Sequence, residues 1–304
     1  MNEQGLCPLC GSANAVTKQE FKSDRIIDAW QRAFQMDVSS EFHGISEFRL
    51  LECQDCKLQF FEPGSLAGSP ALYESLEKFE WYYMREKWEH GVALEDLAGC
   101  KNGIEVGCGF GEFVARVVRE KPETVFEGSE QNPSAVKIAR EKGIPVQLLS
   151  LEELAEAQAG KYAAVCAFQV LEHVADAKSF VTAACRLLGS GGRLILGLPH
   201  AQSFLRHQFN LLDMPPHHVT RWTAEALEQV ERRFPLKIRR ICFEPLADYH
   251  VEAYVEAYTG VLSRAGVGFA AAPGIQSRLA RVVRASGLQR ILRGQSIYVC
   301  YERT

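Results

Sequence analysis

The sequence predicts an α/β fold, in which helices cover both faces of a β-sheet, preceded by a small module that carries paired cysteines. Three observations lead to this fold class. Two cysteine pairs lie near the N-terminus, and further along the chain an apolar strand runs through a glycine-rich turn into an amphipathic helix. Apolar strands and helices then alternate towards the C-terminus, an order that is typical of open α/β sheets.

The composition of the chain excludes several classes of protein. Of its 304 residues, 47% are hydrophobic and 24% are charged, which are ordinary values for a globular protein. A net charge of -4 offers no electrostatic attraction for a polyphosphate backbone, so we expect no nucleic-acid partner. No apolar run approaches the roughly 18 to 20 residues that span a bilayer, and the first residues lack the pattern of a signal peptide. We therefore expect no stable membrane insertion and a cytoplasmic location.

The N-terminal cysteines form two CxxC pairs, Cys7 with Cys10 and Cys53 with Cys56. Two thiolates on one tight turn can share an ion, and two such turns complete the tetrahedral shell that structural zinc prefers. The spacing therefore predicts a zinc-ribbon module over residues 1–70. A redox-active CxxC unit is the alternative, but neither pair has a βαβ pattern around it.

The long segment between the two cysteine pairs predicts an insertion in the ribbon. Apolar residues in "SDRIIDAWQRAFQMDV", residues 23–38, recur at helical spacing, and Ser23 or Asp24 is a candidate N-cap. The following "FRLLECQDCKLQFFEP", residues 48–63, predicts one strand that enters the second cysteine turn and another that leaves it.

The glycine-rich turn lies in "KNGIEVGCGFGEFVARVVRE", residues 101–120. A dinucleotide-binding G-x-G-x-x-G motif that starts at Gly107 requires a glycine at position 112, where the chain has Glu112. A carboxylate at that point would face a pyrophosphate at the N-terminus of the helix. The turn is therefore not the dinucleotide motif.

The order of acidic residue and glycines in this turn resembles the first motif of the class I S-adenosylmethionine-dependent methyltransferases. Glu105 precedes Gly107, Gly109 and Gly111 at alternate positions. In "TVFEGSEQN" the next strand ends at Glu130, which is placed like the acidic residue that binds the ribose hydroxyls in that family.

Two further segments continue the resemblance in the same order. The turn after the third strand, "LLSLEEL", has Ser150 where the family usually has an aspartate, followed by Leu151 with its backbone amide. The segment "AFQVLEH", residues 167–173, resembles the end of the fourth strand, with Phe168 and Gln169 in register. The likeness covers about residues 99–222, and "SIYVCYERT" resembles the last, antiparallel strand of the fold.

The resemblance implies a Rossmann-like methyltransferase sheet of seven strands over residues 99–304, with S-adenosylmethionine as the cofactor. It also implies a set of cofactor-binding residues. They are Glu105, Gly107, Cys108, Gly109, Gly111, Glu130, Gln131, Ser150, Leu151, Phe168 and Gln169.

Two segments that flank this domain are predicted to be helical. Residues 71–98 read as an aromatic lid or linker, in which Tyr82, Tyr83 and Trp88 either close the cofactor pocket or pack the ribbon against the core. Residues 247–295 form a helical insertion before the last strand, and this insertion is rich in arginine. Its arginines are Arg264, Arg278, Arg281, Arg284, Arg290 and Arg293. They favour an anionic substrate, a solvated helix face or a membrane-surface helix.

The candidate catalytic residues are the histidines beyond the fourth and fifth strands, namely His200, His217 and His218. A histidine near neutral pKa can remove a proton from an oxygen or nitrogen acceptor. The last two lie in "LLDMPPHHVTRW", where packing against the next helix is the alternative role. We do not expect them to bind zinc, because the four cysteines already complete a shell.

The function predicted from the sequence is methyl transfer to oxygen or nitrogen of a small molecule. A ribbon joined to a methyltransferase domain resembles a bacterial group that modifies sugars or small metabolites, so the expected acceptor is a sugar, glycan intermediate or secondary metabolite, possibly anionic. Two alternatives stay open: an RNA methyltransferase that grips RNA with its ribbon, and an interaction protein that binds S-adenosylmethionine without turnover.

Overall fold

The computed structural model describes residues 5–79, 82 and 84–304, apart from the side chains of residues 269 and 270, and its strands form a larger and a smaller sheet. The strands are β1 Ala15–Lys22, β2 Glu47–Cys53, β3 Gln59–Glu62, β4 Asn102–Val106, β5 Val125–Ser129, β6 Val146–Gln147, β7 Tyr162–Phe168, β8 Leu188–Pro199, β9 Thr220–Arg221, β10 Leu236–Pro245 and β11 Arg293–Arg303. The α-helices are α1 Ser23–Phe34, α2 Pro70–Leu76, α3 Trp88–Asp96, α4 Glu112–Glu120, α5 Pro133–Glu141, α6 Leu151–Ala157, α7 Ala177–Leu187, α8 Ala224–Glu231, α9 Val251–Arg264 and α10 Pro273–Ser286.

The larger sheet has seven strands in the order β10-β11-β8-β7-β4-β5-β6. Strands β4 to β8 pair in parallel, whereas β11 runs antiparallel to both β8 and β10. Apolar clusters cover both faces: α6, α7 and α8 pack on one side, and α3, α4 and α5 pack on the other. Strands buried on both faces read as continuous apolar runs, which is why β7 and β8 were recognisable in the sequence. The predicted α/β sheet of seven strands, including its antiparallel last strand, is confirmed.

The smaller sheet has the order β1-β2-β3-β9, and α1 packs on it through Ile26 and Trp30. The predicted strands around the second cysteine turn and the predicted helix are present. The predicted caps of α1 are wrong, because Lys22 holds the N-cap position without a side-chain hydrogen bond and Ser23 lies inside the helix. Strand β1 was not predicted, because its side chains are mostly exposed and form no apolar pattern.

Strand β9 joins the smaller sheet although it follows the parallel strands of the larger one. Its Thr220 lies opposite Phe60 of β3, and the Phe61 amide donates to the Val219 carbonyl at 2.9 Å. The segment after the two adjacent histidines is therefore the edge strand of the N-terminal sheet.

Both flanking segments contain helices. Residues 71–98 hold two short helices, α2 and α3, rather than one, and Tyr83 lies outside the described residues. Helices α9 and α10 lie within the predicted insertion and pack through Val251, Val255 and Ala280 on Phe204. The insertion therefore rests on the loop that follows β8.

Candidate functional site

A cavity of about 560 Å³ lies at the carboxyl ends of the parallel strands. This is the edge at which open α/β sheets bind ligands. One end of the cavity is lined by predicted cofactor residues, and the other by predicted catalytic residues. At the first end these are Glu105, Gly107, Cys108, Gly109, Phe168 and Gln169; at the other they are His200, His217 and His218.

Gly107, between β4 and α4, has the conformation that the glycine-rich turn requires. Its φ is 69°, in the left-handed region that favours glycine. A Cβ atom at Gly107 would lie 2.7 Å from the Val170 Cγ2. The Val170 side chain therefore leaves no room for a side chain at Gly107, which lines the cavity through its backbone alone.

Glu105 and Glu130 lie on either side of this turn in different environments. Burial raises the pKa of Glu105 to about 8, and its Oε2 has no hydrogen-bond partner among the described residues. The Glu130 carboxylate accepts from the backbone amides of Gly109, Gln131 and Asn132 at 2.7 to 2.9 Å. Glu130 thus ties the turn to the end of β5, whereas Glu105 presents a buried polar atom with its bonding capacity unused.

Phe168 and Gln169 lie at the end of β7 and are fixed by α3. Phe168 contacts the rings of His90 and Phe113, with centroids 5.1 and 4.9 Å away. Gln169 adopts a φ of 60° and donates from Nε2 to the Glu89 Oε1 at 2.9 Å. A residue other than glycine in the left-handed region is uncommon and often marks a functional site.

Several predicted cofactor residues lie outside the lining of the cavity. Ser150 caps α6: its hydroxyl accepts from the Glu153 amide at 3.1 Å, while the Glu153 carboxylate accepts from the Ser150 amide at 2.7 Å. Leu151 is buried in the core, so its backbone alone remains a candidate contact. Gly111, Glu130 and Gln131 also lie behind the surface of the cavity.

Helix α3 borders the cavity beside the ends of β7 and β8, and it contributes residues that sequence reasoning missed. Trp88, Glu89 and His90 line the cavity, and so does Tyr82 from the segment before the helix. Burial lowers the pKa of His90 to about 3, which keeps its ring neutral. This position is compatible with the predicted lid role of Tyr82 and Trp88. No pattern in the sequence indicated that Glu89 and His90 line the cavity.

At the other end of the cavity His217 and His218 meet His173. The three ring centroids lie 4.5 to 4.8 Å apart, and one ring nitrogen of each lies within 4.8 Å of those of the others. Two bonds bring the segments together: the Val219 amide donates to the Glu172 carbonyl at 2.9 Å, and the Thr220 hydroxyl donates to the Leu171 carbonyl at 3.1 Å. We call His173, His217 and His218 the histidine cluster.

Burial governs the protonation of the histidine cluster. It lowers the pKa of His217 to about 4 and places the pKa values of His173 and His218 well below their ordinary range. Burial also raises the pKa of the neighbouring Glu172 to about 8 and that of Asp213 to about 6. All three rings are therefore neutral at physiological pH.

The third candidate base, His200, lies apart from the cluster. It is 6% exposed, pairs with Trp222 in an isolated β-bridge and contacts the Phe243 ring at 5.0 Å. Burial lowers the pKa of His200 to about 4, and Nε2 has no partner among the described residues.

The arginines of the insertion lie outside the lining of the cavity. Arg284 forms ion pairs with Asp248 and Glu252, and the Arg293 guanidinium covers the Phe243 ring at 4.0 Å. In the described lining, carboxyl side chains outnumber the cationic ones, which are Lys87 and Arg206. The structure therefore gives no support to an anionic substrate held by the arginine-rich insertion.

The four N-terminal cysteines converge as their spacing predicts. The Sγ atoms of Cys7 and Cys56 lie 3.4 Å apart, and those of Cys10 and Cys53 lie 3.5 Å apart. All four sulfur atoms lie within 4.8 Å of one another. Four ligands at a Zn–S distance of about 2.3 Å would be separated by about 3.8 Å, so this cysteine cluster fits one tetrahedral ion.

A family model described as a methyltransferase domain matches residues 80–240, just over half of the chain. The chain belongs to this family. It is a class I S-adenosylmethionine-dependent methyltransferase, and the matched region contains the glycine-rich turn and strands β4 to β8. The N-terminal cysteine cluster lies outside the match.

Curated relatives and a solved structure agree with this family. A ubiquinone biosynthesis O-methyltransferase from Xanthomonas oryzae pv. oryzae is 35% identical over 107 residues, which are 33% of this chain and 44% of the relative. One of the same name from Thiobacillus denitrificans is 36% identical over 102 residues, 32% of this chain and 43% of the relative. The chain thus matches less than half the length of each. A SAM-dependent methyltransferase structure from Thermotoga maritima superposes with a TM-score of 0.51 at 15% identity, over 77% of this chain and 98% of that one, which shows the shared fold.

Among the described residues, no helix has the length and apolar character required to cross a bilayer.

Proposed function

We propose that the chain binds S-adenosylmethionine at the glycine-rich end of the cavity and methylates an oxygen atom of a small hydroxylated molecule at the histidine end. The observation that carries this proposal is the single cavity, which joins the family's first motif to a cluster of buried titratable side chains. Holding two reactants in one cavity replaces a bimolecular encounter by an oriented one.

The cofactor end fits the group that the family implies. The buried Oε2 of Glu105 has no partner among the described residues, and it can accept from a donor on the cofactor. Gly107 and Gly109 line the cavity through backbone atoms alone, because neither residue has a side chain. The proposed contacts are Glu105, Gly107, Cys108, Gly109, Phe168 and Gln169 at the surface, with Gly111, Glu130, Gln131, Ser150 and Leu151 supporting the turns behind them. Bound there, S-adenosylmethionine supplies an electrophilic methyl group.

The proposed acceptor is neutral and carries hydroxyl groups. Carboxylates accept hydrogen bonds from hydroxyls, and Glu89, Glu172, Asp213 and Glu244 line the cavity. The relatives are named O-methyltransferases, which supports oxygen rather than nitrogen as the acceptor atom. Sugars, glycan intermediates and phenolic secondary metabolites have this chemistry, whereas an anion would meet an excess of like charge.

The proton of the acceptor hydroxyl needs a destination, and His200, His217 and His218 remain the candidate bases. Each ring is neutral, so each can accept a proton. The burial that lowers their pKa values also makes them weak bases at neutral pH.

For the cysteine cluster we propose one structural zinc ion. Three of its four thiols, those of Cys7, Cys53 and Cys56, are buried, and Cys10 is partly exposed. A closed shell of four thiolates leaves no position for a substrate, so the expected role is to fix the two cysteine turns.

Calorimetry on the full chain tests the cofactor site. We expect S-adenosylmethionine to bind and NAD to bind far more weakly. The variant Gly107→Ala should weaken S-adenosylmethionine binding by at least about tenfold, because the new methyl group meets Val170. Gly143→Ala is the matched control: its φ of 75° imposes the same backbone strain, but no atom lies within 4 Å of the new Cβ. Tighter binding of NAD, or equal losses in both variants, would overturn the assignment.

The acceptor is tested by a methyl-transfer screen over nucleotide sugars, free sugars and phenols. We expect turnover with a neutral polyhydroxylated compound and none with its phosphorylated or carboxylated analogue. Turnover confined to anionic acceptors would contradict the proposed substrate class.

A further inference from the structure

The hydrogen bonds of the histidine cluster fix the same tautomer in all three rings. Nδ1 of His173 lies 2.6 Å from the His217 carbonyl oxygen, and Nδ1 of His217 lies 2.8 Å from the Leu212 carbonyl oxygen. A carbonyl can only accept, so both Nδ1 atoms carry the proton. Nδ1 of His218 lies 3.3 Å from the Asp213 Oδ1, which accepts in the same way. Each ring is left with an unprotonated Nε2.

These Nε2 atoms lie in a buried environment with unused bonding capacity. His217 and His218 are 6% and 7% exposed, and the His217 Nε2 has no hydrogen-bond partner among the described residues. The side chain of Glu172 is 1% exposed, and both of its carboxylate oxygens also lack a partner there. Its Oε1 lies 4.0 Å from the His218 Nε2. A buried hydrogen-bond acceptor without a donor is energetically unfavourable. Several such acceptors at one site therefore indicate that a cation binds there.

We propose that His173, His217 and His218 bind one divalent first-row transition-metal ion through Nε2, with Glu172 beside it as the neutralising carboxylate. Imidazole nitrogens suit zinc, cobalt, nickel and iron, and they rarely serve magnesium or calcium. A metal-binding histidine usually donates its other N–H to a carbonyl or carboxylate, and this is the arrangement of all three rings.

The spacing requires only a small contraction around the ion. Three nitrogens at about 2.0 to 2.1 Å from zinc would be separated by about 3.4 Å, whereas here one ring nitrogen of each histidine, Nδ1 or Nε2, lies within 4.8 Å of those of the other two. The rings are held from behind by Tyr73, whose hydroxyl lies 3.3 Å from the His173 Nδ1 and 3.4 Å from the His217 carbonyl oxygen. An ion held by three protein nitrogens would keep a fourth coordination position for a substrate or water oxygen, as in catalytic zinc sites.

This site deepens the proposed function and, in its catalytic role, rests on it. A hydroxyl group that coordinates such an ion loses its proton to solvent at a lower pH than a free hydroxyl. The oxygen then forms the new bond to the methyl carbon, and the electron pair of the broken carbon–sulfur bond stays on the sulfur of the donor. With Nε2 of His217 and His218 bound to the ion, neither ring accepts the proton, and His200 is the candidate base that keeps its role.

Metal stoichiometry of the full chain tests the site without any reference to activity. Protein freed of metal is reconstituted with Zn²⁺, and the ions per chain are counted by native mass spectrometry. We expect two ions in the unaltered chain, one in His217→Ala/His218→Ala and one in Cys53→Ser/Cys56→Ser. His200→Ala is the matched control: it removes another buried cavity histidine and should keep two ions. Retention of the cysteine-bound ion in the histidine variant shows that the variant is folded.

Cobalt(II) identifies the ligands of the second ion. In Cys53→Ser/Cys56→Ser the cobalt spectrum should lack the thiolate charge-transfer band and retain the bands of nitrogen and oxygen ligands. Asp213→Asn, which weakens the support of the His218 ring, should lower Zn²⁺ affinity by about 10- to 100-fold. A single ion in the unaltered chain, or two ions in the histidine variant, would overturn the site. Two ions without S-adenosylmethionine binding would overturn the proposed function and leave the metal site intact.

Discussion

The cysteine cluster and the histidine cluster are two buried donor sets with opposite origins. Each cysteine turn places two ligands within four residues, so two local turns form the set. The histidine cluster joins His173 to a pair 44 residues later, and the polypeptide between them forms α7 and β8. The first set is therefore visible as a spacing in the sequence, whereas the second exists only because two loops meet at one edge of the sheet.

The two clusters also differ in what surrounds them. The cysteine cluster is closed by its own four sulfur atoms. The histidine cluster opens into the cavity that also reaches the glycine-rich turn. Closed ligand sets are typical of structural ions, and open ones of catalytic ions. The predictions below test this division of roles.

The largest expected effect concerns the cysteine cluster. Cys53→Ser/Cys56→Ser should lower the free energy of unfolding by at least about 3 kcal/mol in the presence of zinc, because binding of a structural ion contributes directly to folding. Urea denaturation followed by fluorescence measures this loss. The control pair Cys185→Ser/Cys242→Ser changes thiols outside the cluster and should cost about 1–2 kcal/mol. Equal losses in both pairs would remove the structural role.

An intermediate effect concerns the hydrogen bonds that join the loop of His217 and His218 to the segment after β7. The Thr220 hydroxyl donates to the Leu171 carbonyl and accepts from the Trp222 Nε1 at 3.0 Å. Thr220→Val leaves both buried groups without a partner and should cost about 2–4 kcal/mol by urea denaturation. Thr182→Val, at an exposed position of α7, should change stability by less than about 0.5 kcal/mol. A loss in Thr220→Val as small as in the control would show that this bond does not hold the histidine loop.

The smallest expected effect is a pH dependence at the cofactor end. Burial raises the pKa of Glu105 from 4.5 to about 8, so the folded chain keeps a proton that the unfolded chain releases. Between these values unfolding releases a proton, and the free energy of unfolding falls as the pH rises. Glu105→Gln should remove this dependence. From pH 5 to pH 7.5 the free energy of unfolding should fall further in the unaltered chain than in Glu105→Gln, by about 1 kcal/mol or more. The same slope in both proteins would show that Glu105 is ionised in the folded state.

Much of the fold could be predicted because its signals are local. Apolar runs identified β7, β8 and β11, and a threonine before α8 is a local N-cap signal: the Thr223 hydroxyl accepts from the Ala226 amide at 3.0 Å. The cofactor end of the cavity could be predicted for the same reason, because the glycine turn and the end of β7 are each a continuous run of residues.

The remainder depends on contacts between distant segments. Strand β9 has two residues and no pattern of its own, and it exists because β3 offers a free edge. Glu89 and His90 line the cavity because α3 packs against the ends of β7 and β8, and His173 reaches His217 only through the pairing of their loops. Such residues need the tertiary structure before their chemistry can be recognised.

The position of β9 has a consequence for the synthesis of the chain. Phe60 emerges from the ribosome about 160 residues before its partner Thr220, which corresponds to roughly 10–30 s of translation at 5–20 residues per second. During that interval the apolar edge of β3, with Phe60 and Phe61, has no neighbouring strand. Unpaired strand edges favour aggregation, so nascent chains shorter than about 220 residues should associate with chaperones more strongly than the completed protein.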